Sequence, residues 1–86
     1  MELAGQVPAE LARALEYELR LVREAIAAVA QGVSPRVTVA GLRLGALLLD
    51  PGRRLAAEAG LRLVPLWHAE DAGVDISIER VTDGRT

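Results

Sequence analysis

The chain has 86 residues, a formal net charge of −2 and no cysteine. A chain of this length forms one domain that buries only about 60% of its unfolded surface, and such domains usually gain stability from disulfides, metals or oligomerisation. With no cysteine and one histidine, His68, oligomerisation is the route left. The negative charge argues against nucleic-acid binding, which requires a basic face, and no stretch approaches the ~20 apolar residues of a membrane span.

Composition narrows the class of protein further. Hydrophobic residues make up 51% of the chain, with Tyr17 and Trp67 as the only aromatic residues, so the core is expected to consist of Leu, Val, Ile and Ala. All the basic residues are arginine, which is typical of a GC-rich bacterial genome, and the first residues lack the features of a secretory signal. We expect a bacterial cytoplasmic protein, one domain over 1–86 with flexible ends at 1–7 and 82–86.

The segment from Pro8 to Gln31 predicts one long helix. It is rich in Ala, Leu, Glu and Arg, which favour helix formation. Pro8 suits the first turn, Gly32 suits the left-handed position after the last turn, and Pro35 prevents continuation. Apolar residues recur at helical spacing and form one stripe that must be buried: Leu15, Leu19, Val22, Ile26, Val29 and Val33.

Two strand patterns flank a second helical segment. Residues 36–40 and 61–67 predict strands, and Pro65 favours an edge position for the latter. Residues 44–59 have a helical apolar face, interrupted by Asp50-Pro51, which predicts two short helices or one kinked helix. Residues 42–49 are also compatible with an extension of the first strand into a hairpin.

A third strand pattern follows a polar loop at 68–73. From Val74 to Glu79, apolar and polar residues alternate, which predicts a strand with one face in water. The predicted fold class is therefore α+β, in the order α-β-α-β-β, with a long N-terminal helix and a small three-stranded mixed sheet. Its β-α-β part is expected to be parallel, with a right-handed crossover.

The loop after the second predicted strand is the best place for a ligand or catalytic site, because open α/β sheets bind ligands at the carboxyl ends of parallel strands. Trp67 offers a stacking surface, His68 a base, and Asp71 and Asp75 carboxylates, with Arg43 at the same edge. A solvated hairpin turn is the simpler interpretation, because one histidine with nearby acids is common.

Other chemistry has weaker signals. One histidine without cysteine does not supply a transition-metal site, so we expect no metal and no cofactor. Nothing in the spacing of Ser77 and His68 suggests a catalytic triad. Residues 41–45 and 50–54 are faint phosphate-binding signals, but the first lacks the G-x-G-x-x-G pattern and the second would place an acid at a helix N-terminus.

Association through the long helix is the leading functional prediction. A helix of about 36 Å, at 1.5 Å per residue, is longer than three short strands can cover. We expect a homodimer, or a complex with another protein, in which the chain is a subunit, adaptor or regulator and not an enzyme. The candidate interface residues are Leu11, Leu15, Leu19, Val22 and Ile26.

Three alternatives stay open on the sequence alone. The stripe is equally what a core helix shows, in which case it packs entirely within the chain. The last strand is predicted to be half-exposed and to offer an edge for a second copy, partly protected by Asp75 and Glu79. The third alternative is a small-molecule-binding or catalytic function at the 67–75 loop.

Overall fold

The computed structural model describes residues 8–71 and 73–81. Its elements are α1 (Ala9–Ala30), β1 (Arg36–Val39), α2 (Gly45–Glu58), β2 (Leu61–Trp67) and β3 (Val74–Arg80). The α+β class and the predicted order of elements are confirmed. The expectation of flexible ends at 1–7 and 82–86 concerns residues outside those described.

The end of α1 follows the prediction. Gly32 has a φ of +82°, and the N–H of Val33 donates to the carbonyl of Ala28 at 2.9 Å, which closes the helix. The Arg80 guanidinium donates to the carbonyl of Val29 at 3.0 Å and brings a positive charge to a helix end whose last turn has no basic residue. Val33 lies beyond the helix and is 74% exposed, so the buried stripe ends before it.

The second helical segment is one helix and does not extend β1. It continues through Asp50-Pro51, although the proline removes the N–H that would bond the carbonyl of Leu47. α2 packs closely on the sheet at Gly52, where a Cβ would lie 2.7 Å from Cδ1 of Leu63 and would force that side chain to shift.

The sheet differs from the predicted mixed arrangement. Its strand order is β1-β3-β2, and both pairings are antiparallel. β1 and β2 consequently run in the same direction, but β3 lies between them and no parallel pair forms. The short loop after β2 explains this order, since a hairpin places its second strand directly beside its first.

The central position of β3 changes two further expectations. Pairing of β3 with a second copy is wrong, because both of its edges are already occupied. Ser77, predicted to face water, is buried because β1 and β2 flank it on both sides. The edge position that Pro65 predicts for β2 agrees with the strand order.

Both helices pack on one face of the sheet. α1 lies mainly over β1 and β3, and α2 lies over β2 and β3. No helix in the described part of the chain is long and apolar enough to cross a membrane. Buried residues from the helices and from the facing side of the strands form one core: Val22, Ala25, Ile26, Val29, Leu48, Ala56, Leu61, Leu63, Ile76 and Ile78.

Candidate functional site

The β2–β3 hairpin brings three of the predicted ligand-site residues together. Nδ1 of His68 lies 3.2 Å from Oδ1 of Asp71, and Nε2 lies 3.1 Å from Oδ1 of Asp75. Asp71 Oδ1 also accepts the N–H of Gly73 at 2.9 Å, and the N–H of His68 donates to the Gly73 carbonyl at 2.8 Å. The hairpin therefore folds around a histidine whose two ring nitrogens both face carboxylates.

This arrangement favours the protonated imidazole. The contact with Asp75 raises the pKa of His68 above its ordinary value, against a smaller opposing effect of desolvation, and Asp71 raises this pKa further. The N–H of Gly73, and then His68, lower the pKa of Asp71. Oδ1 of Asp75 is buried without a hydrogen-bond partner in the described part of the chain, so the charge contact with His68 is its main compensation.

The other two predicted ligand residues do not join this cluster. Trp67 pairs with Val74 and is 57% exposed, and its side chain points to the sheet face opposite that of Asp75, since successive strand residues alternate. Arg43 precedes α2, beside Leu44, and its side chain forms no ion pair with the three cluster residues. The five residues therefore do not line one ligand site.

The cluster is poorly arranged for a metal ion. The two carboxylates approach opposite ring nitrogens, so they cannot join one of those nitrogens at a single ion. Among residues 8–71 and 73–81, no group of three or more His, Cys, Asp or Glu side chains is suited to hold a metal. His68 instead forms charge contacts with both carboxylates.

Another carboxylate, that of Glu18, is buried where α1 meets the start of α2. The side chain is 5% exposed and accepts the N–H of Arg43 at 2.9 Å and the N–H of Leu44 at 2.8 Å, one on each oxygen. Leu44 is the N-cap of α2 and supplies no side-chain cap of its own. Glu18 thus compensates two backbone donors and fixes where α2 begins.

The structure explains why neither of the two predicted phosphate-binding segments is free to bind an anion. The turn at 41–45 does present backbone N–H groups to an anion, but the anion is the carboxylate of Glu18. The segment 50–54 lies inside α2, so the helix start that would bind an anion does not exist there. Neither segment offers a phosphate site in the described structure.

The five candidate interface residues fall into two groups. Val22 and Ile26 belong to the core and have almost no surface left to contact another chain. Leu11, Leu15 and Leu19 are half-buried. Leu15 and Leu19 also pack against the core from its edge.

Leu15 and Leu19 line an apolar groove between α1 and α2, which we call the helix groove. Its other lining residues are Glu16, Leu47, Leu48 and Pro51, and its volume is about 410 Å³. Leu47 projects from α2 and is 58% exposed. The groove is more apolar than three other depressions on the described surface.

The sequence interpretation missed Glu18 and Leu47. Glu18 precedes Val22, Ala25 and Val29 at spacings that place all four on one helix face. An acid on an otherwise apolar stripe was therefore a visible signal of a buried carboxylate. Leu47 had no comparable signal, because its exposure depends on how the two helices pack.

In comparisons with known proteins, no protein-family model, no curated protein and no solved structure matches this chain.

Proposed function

We propose that this chain is a non-enzymatic assembly module, a subunit, adaptor or regulator that acts as a homo-oligomer through the helix groove. The observation that carries the proposal is the combination of an apolar lining with an exposed Leu47 at its rim. Contiguous apolar surface rimmed by polar residues is a feature of protein interaction sites.

The first turns of α1 carry apolar side chains that the rest of the chain covers only in part. Every buried residue of α1 lies from Glu18 onwards, while Leu11 and Leu15 in the first turns are only half-covered. A partner that covers these side chains would remove further apolar area from water, which is worth about 25 cal/mol per Å². A domain of 86 residues without disulfides gains more from this than a larger one.

A second copy is the occupant that the surrounding charges favour. Beside the groove, Glu16 lies next to Arg20 and Arg23 on the exposed side of α1. A two-fold contact in which the α1 helices run antiparallel lets the acid of one copy approach the arginines of the other. Both signs of charge are thus present on the same surface, as an isologous interface requires.

The alternative function at the 67–75 loop has less support. His68 already contacts both Asp71 and Asp75, and neither Trp67 nor Arg43 converges on them. A ligand would have to break these contacts before it could use the residues.

A charge in the groove tests the proposal. Leu47→Glu places a carboxylate on the rim without disturbing the core, so the variant should stay folded and its weight-average mass at high concentration should fall relative to the wild type. The matched control is Ala46→Glu, which adds the same charge on the neighbouring exposed residue. Light scattering coupled to size exclusion gives the masses. Equal masses for wild type and Leu47→Glu would overturn the proposal.

A further inference from the structure

The hydrogen-bond phase of the sheet is the choice of residues that form hydrogen-bonded pairs. It determines which backbone N–H and C=O groups face outwards. In an antiparallel pair, hydrogen-bonded and non-hydrogen-bonded residue pairs alternate. The N–H of His68 bonds the carbonyl of Gly73, and the β2–β3 register continues from this pair without a bulge. Alternate residues of β2, from Arg62 to Leu66, therefore bond β3, and the residues between them point their N–H and C=O groups away from the sheet.

The outer edge of β2 is blocked by this phase. Pro65 is one of the outward-pointing residues, with Leu63 and Trp67 on either side. A proline has no N–H to offer an additional strand, and its ring occupies the edge. The sheet cannot extend on the β2 side.

The outer edge of β1 is open. Because β3 uses Asp75, Ser77 and Glu79 to bond β2, it uses Ile76 and Ile78 to bond β1, and these pair with Val39 and Val37. The backbone groups of Arg36 and Thr38 consequently point outwards. The Ser34 hydroxyl donates to the Arg36 carbonyl at 2.8 Å. Of the two outward residues of β1, Thr38 is therefore the one whose N–H and C=O both remain available to another strand.

We infer that β1 pairs antiparallel with β1 of a second copy across a two-fold axis, with Thr38 opposite Thr38, to give a continuous six-stranded sheet. Only outward residues can bond one another, so Thr38 must face Thr38 or Arg36 of the second copy. The symmetric Thr38 register keeps the two Arg36 side chains apart and places two β-branched hydroxyl residues side by side.

The position of α1 favours a second copy over an isolated peptide at this edge, because a second copy adds a helix–helix contact. Strands lie about 4.8 Å apart, and α1 lies over β1 and β3, so its axis is about 5 Å from the two-fold axis. The two α1 helices would then be about 10 Å apart, which is a normal distance for packed helices. The side of α1 remote from the helix groove carries the half-buried side chains of Leu21 and Ala28, seven residues apart.

This edge contact is separate from the helix groove. The groove lies between α1 and α2, whereas β1 and the remote side of α1 are at the opposite border of the domain. The two contacts can therefore fail independently. Occupation of both would build an assembly larger than a dimer.

Amide hydrogen exchange tests the edge contact directly. With wild-type protein taken from dilute to concentrated solution, exchange at Arg36 and Thr38 should slow by about tenfold or more, while Val37 and Val39 are protected at both concentrations. Unchanged exchange at Thr38 up to the highest concentration would overturn the inference. Because Leu47→Glu affects only the groove, it should leave the protection of Thr38 intact.

A matched pair of variants adds an independent test. Thr38→Pro removes the outward N–H and keeps the backbone bonds to β3, as Pro65 does on the other edge, and should lower the mass at high concentration. Like its control Thr38→Val, it also removes the hydroxyl that donates to Oγ of Ser77 at 3.4 Å. Thr38→Val keeps the N–H and should retain the wild-type mass. A Thr38→Pro variant that is folded and has the wild-type mass would contradict the edge contact. If this variant does not fold, the exchange pattern of the wild type decides.

Discussion

The two halves of α1 are both rich in Ala, Leu, Glu and Arg but lie in different environments. From Glu18 to Val29, the helix supplies five buried residues and contacts both the sheet and α2. Before Glu18, none of the described residues is buried, although Leu11 and Leu15 continue the same apolar stripe. An uninterrupted apolar stripe therefore does not imply uniform burial, because burial depends on where the neighbouring elements begin.

The largest expected difference separates Val22 from Leu11. Val22 is 0% exposed, so Val22→Glu buries an unpaired charge and should lower the free energy of unfolding by more than about 4 kcal/mol. A loss of this size is enough to unfold many small domains. Leu11→Glu changes a half-exposed side chain and should cost less than about 1 kcal/mol. Circular dichroism during urea unfolding measures both. Similar stabilities for the two variants would mean that the halves of α1 do not differ as described.

Glu18 stands at the boundary between the halves and is expected to have the next largest effect. Glu18→Ala leaves the N–H groups of Arg43 and Leu44 without acceptors and should destabilise the chain by about 1–3 kcal/mol. Glu18→Gln keeps one oxygen acceptor and should lose less. Urea unfolding of both variants gives the comparison. Glu24→Ala, at an exposed position of the same helix, is the control and should stay within about 0.5 kcal/mol of the wild type.

The smallest expected effect is the pH response of the hairpin. Because the pKa of His68 is raised in the folded chain, its stabilising contribution is complete below the ordinary histidine pKa and is lost as the pH rises through the raised value. The melting temperature of the wild type should therefore fall slightly as the pH rises from the ordinary histidine pKa through the raised one. The slope should disappear in His68→Ala.

The source of this response can be separated by titration of His68 in nuclear magnetic resonance spectra. Asp75→Asn should lower the pKa of His68 more than Asp71→Asn does, because the contact with Asp75 is the leading cause of the shift. The reverse order would show that the turn carboxylate is the main partner. An unchanged pKa in both variants would remove the cluster from the account.

Local patterns in the sequence were sufficient for the elements and insufficient for their arrangement. Gly32 and Pro65 predicted the end of α1 and an edge strand, because each acts through its own backbone geometry. The place of β3 between β1 and β2 was not predicted, since crossover rules describe parallel neighbours and not a hairpin strand inserted between them.

The candidate sites show the same division. Close spacing along the chain predicted that His68 would meet Asp71 and Asp75, because a hairpin keeps near neighbours together. The contact of Glu18 with the start of α2 joins residues far apart in sequence. The groove beside Leu47 likewise depends on the packing of two helices, and no local pattern contains it.

The most direct test of the association account is the solution mass of the wild-type chain from dilute to concentrated solution, measured by light scattering coupled to size exclusion. The account predicts a mass that rises above that of one chain as concentration increases, as exposed Leu47 and the open β1 edge become occupied. A single-chain mass at every concentration would contradict it, and would mean that the uncovered half of α1 is simply solvated surface.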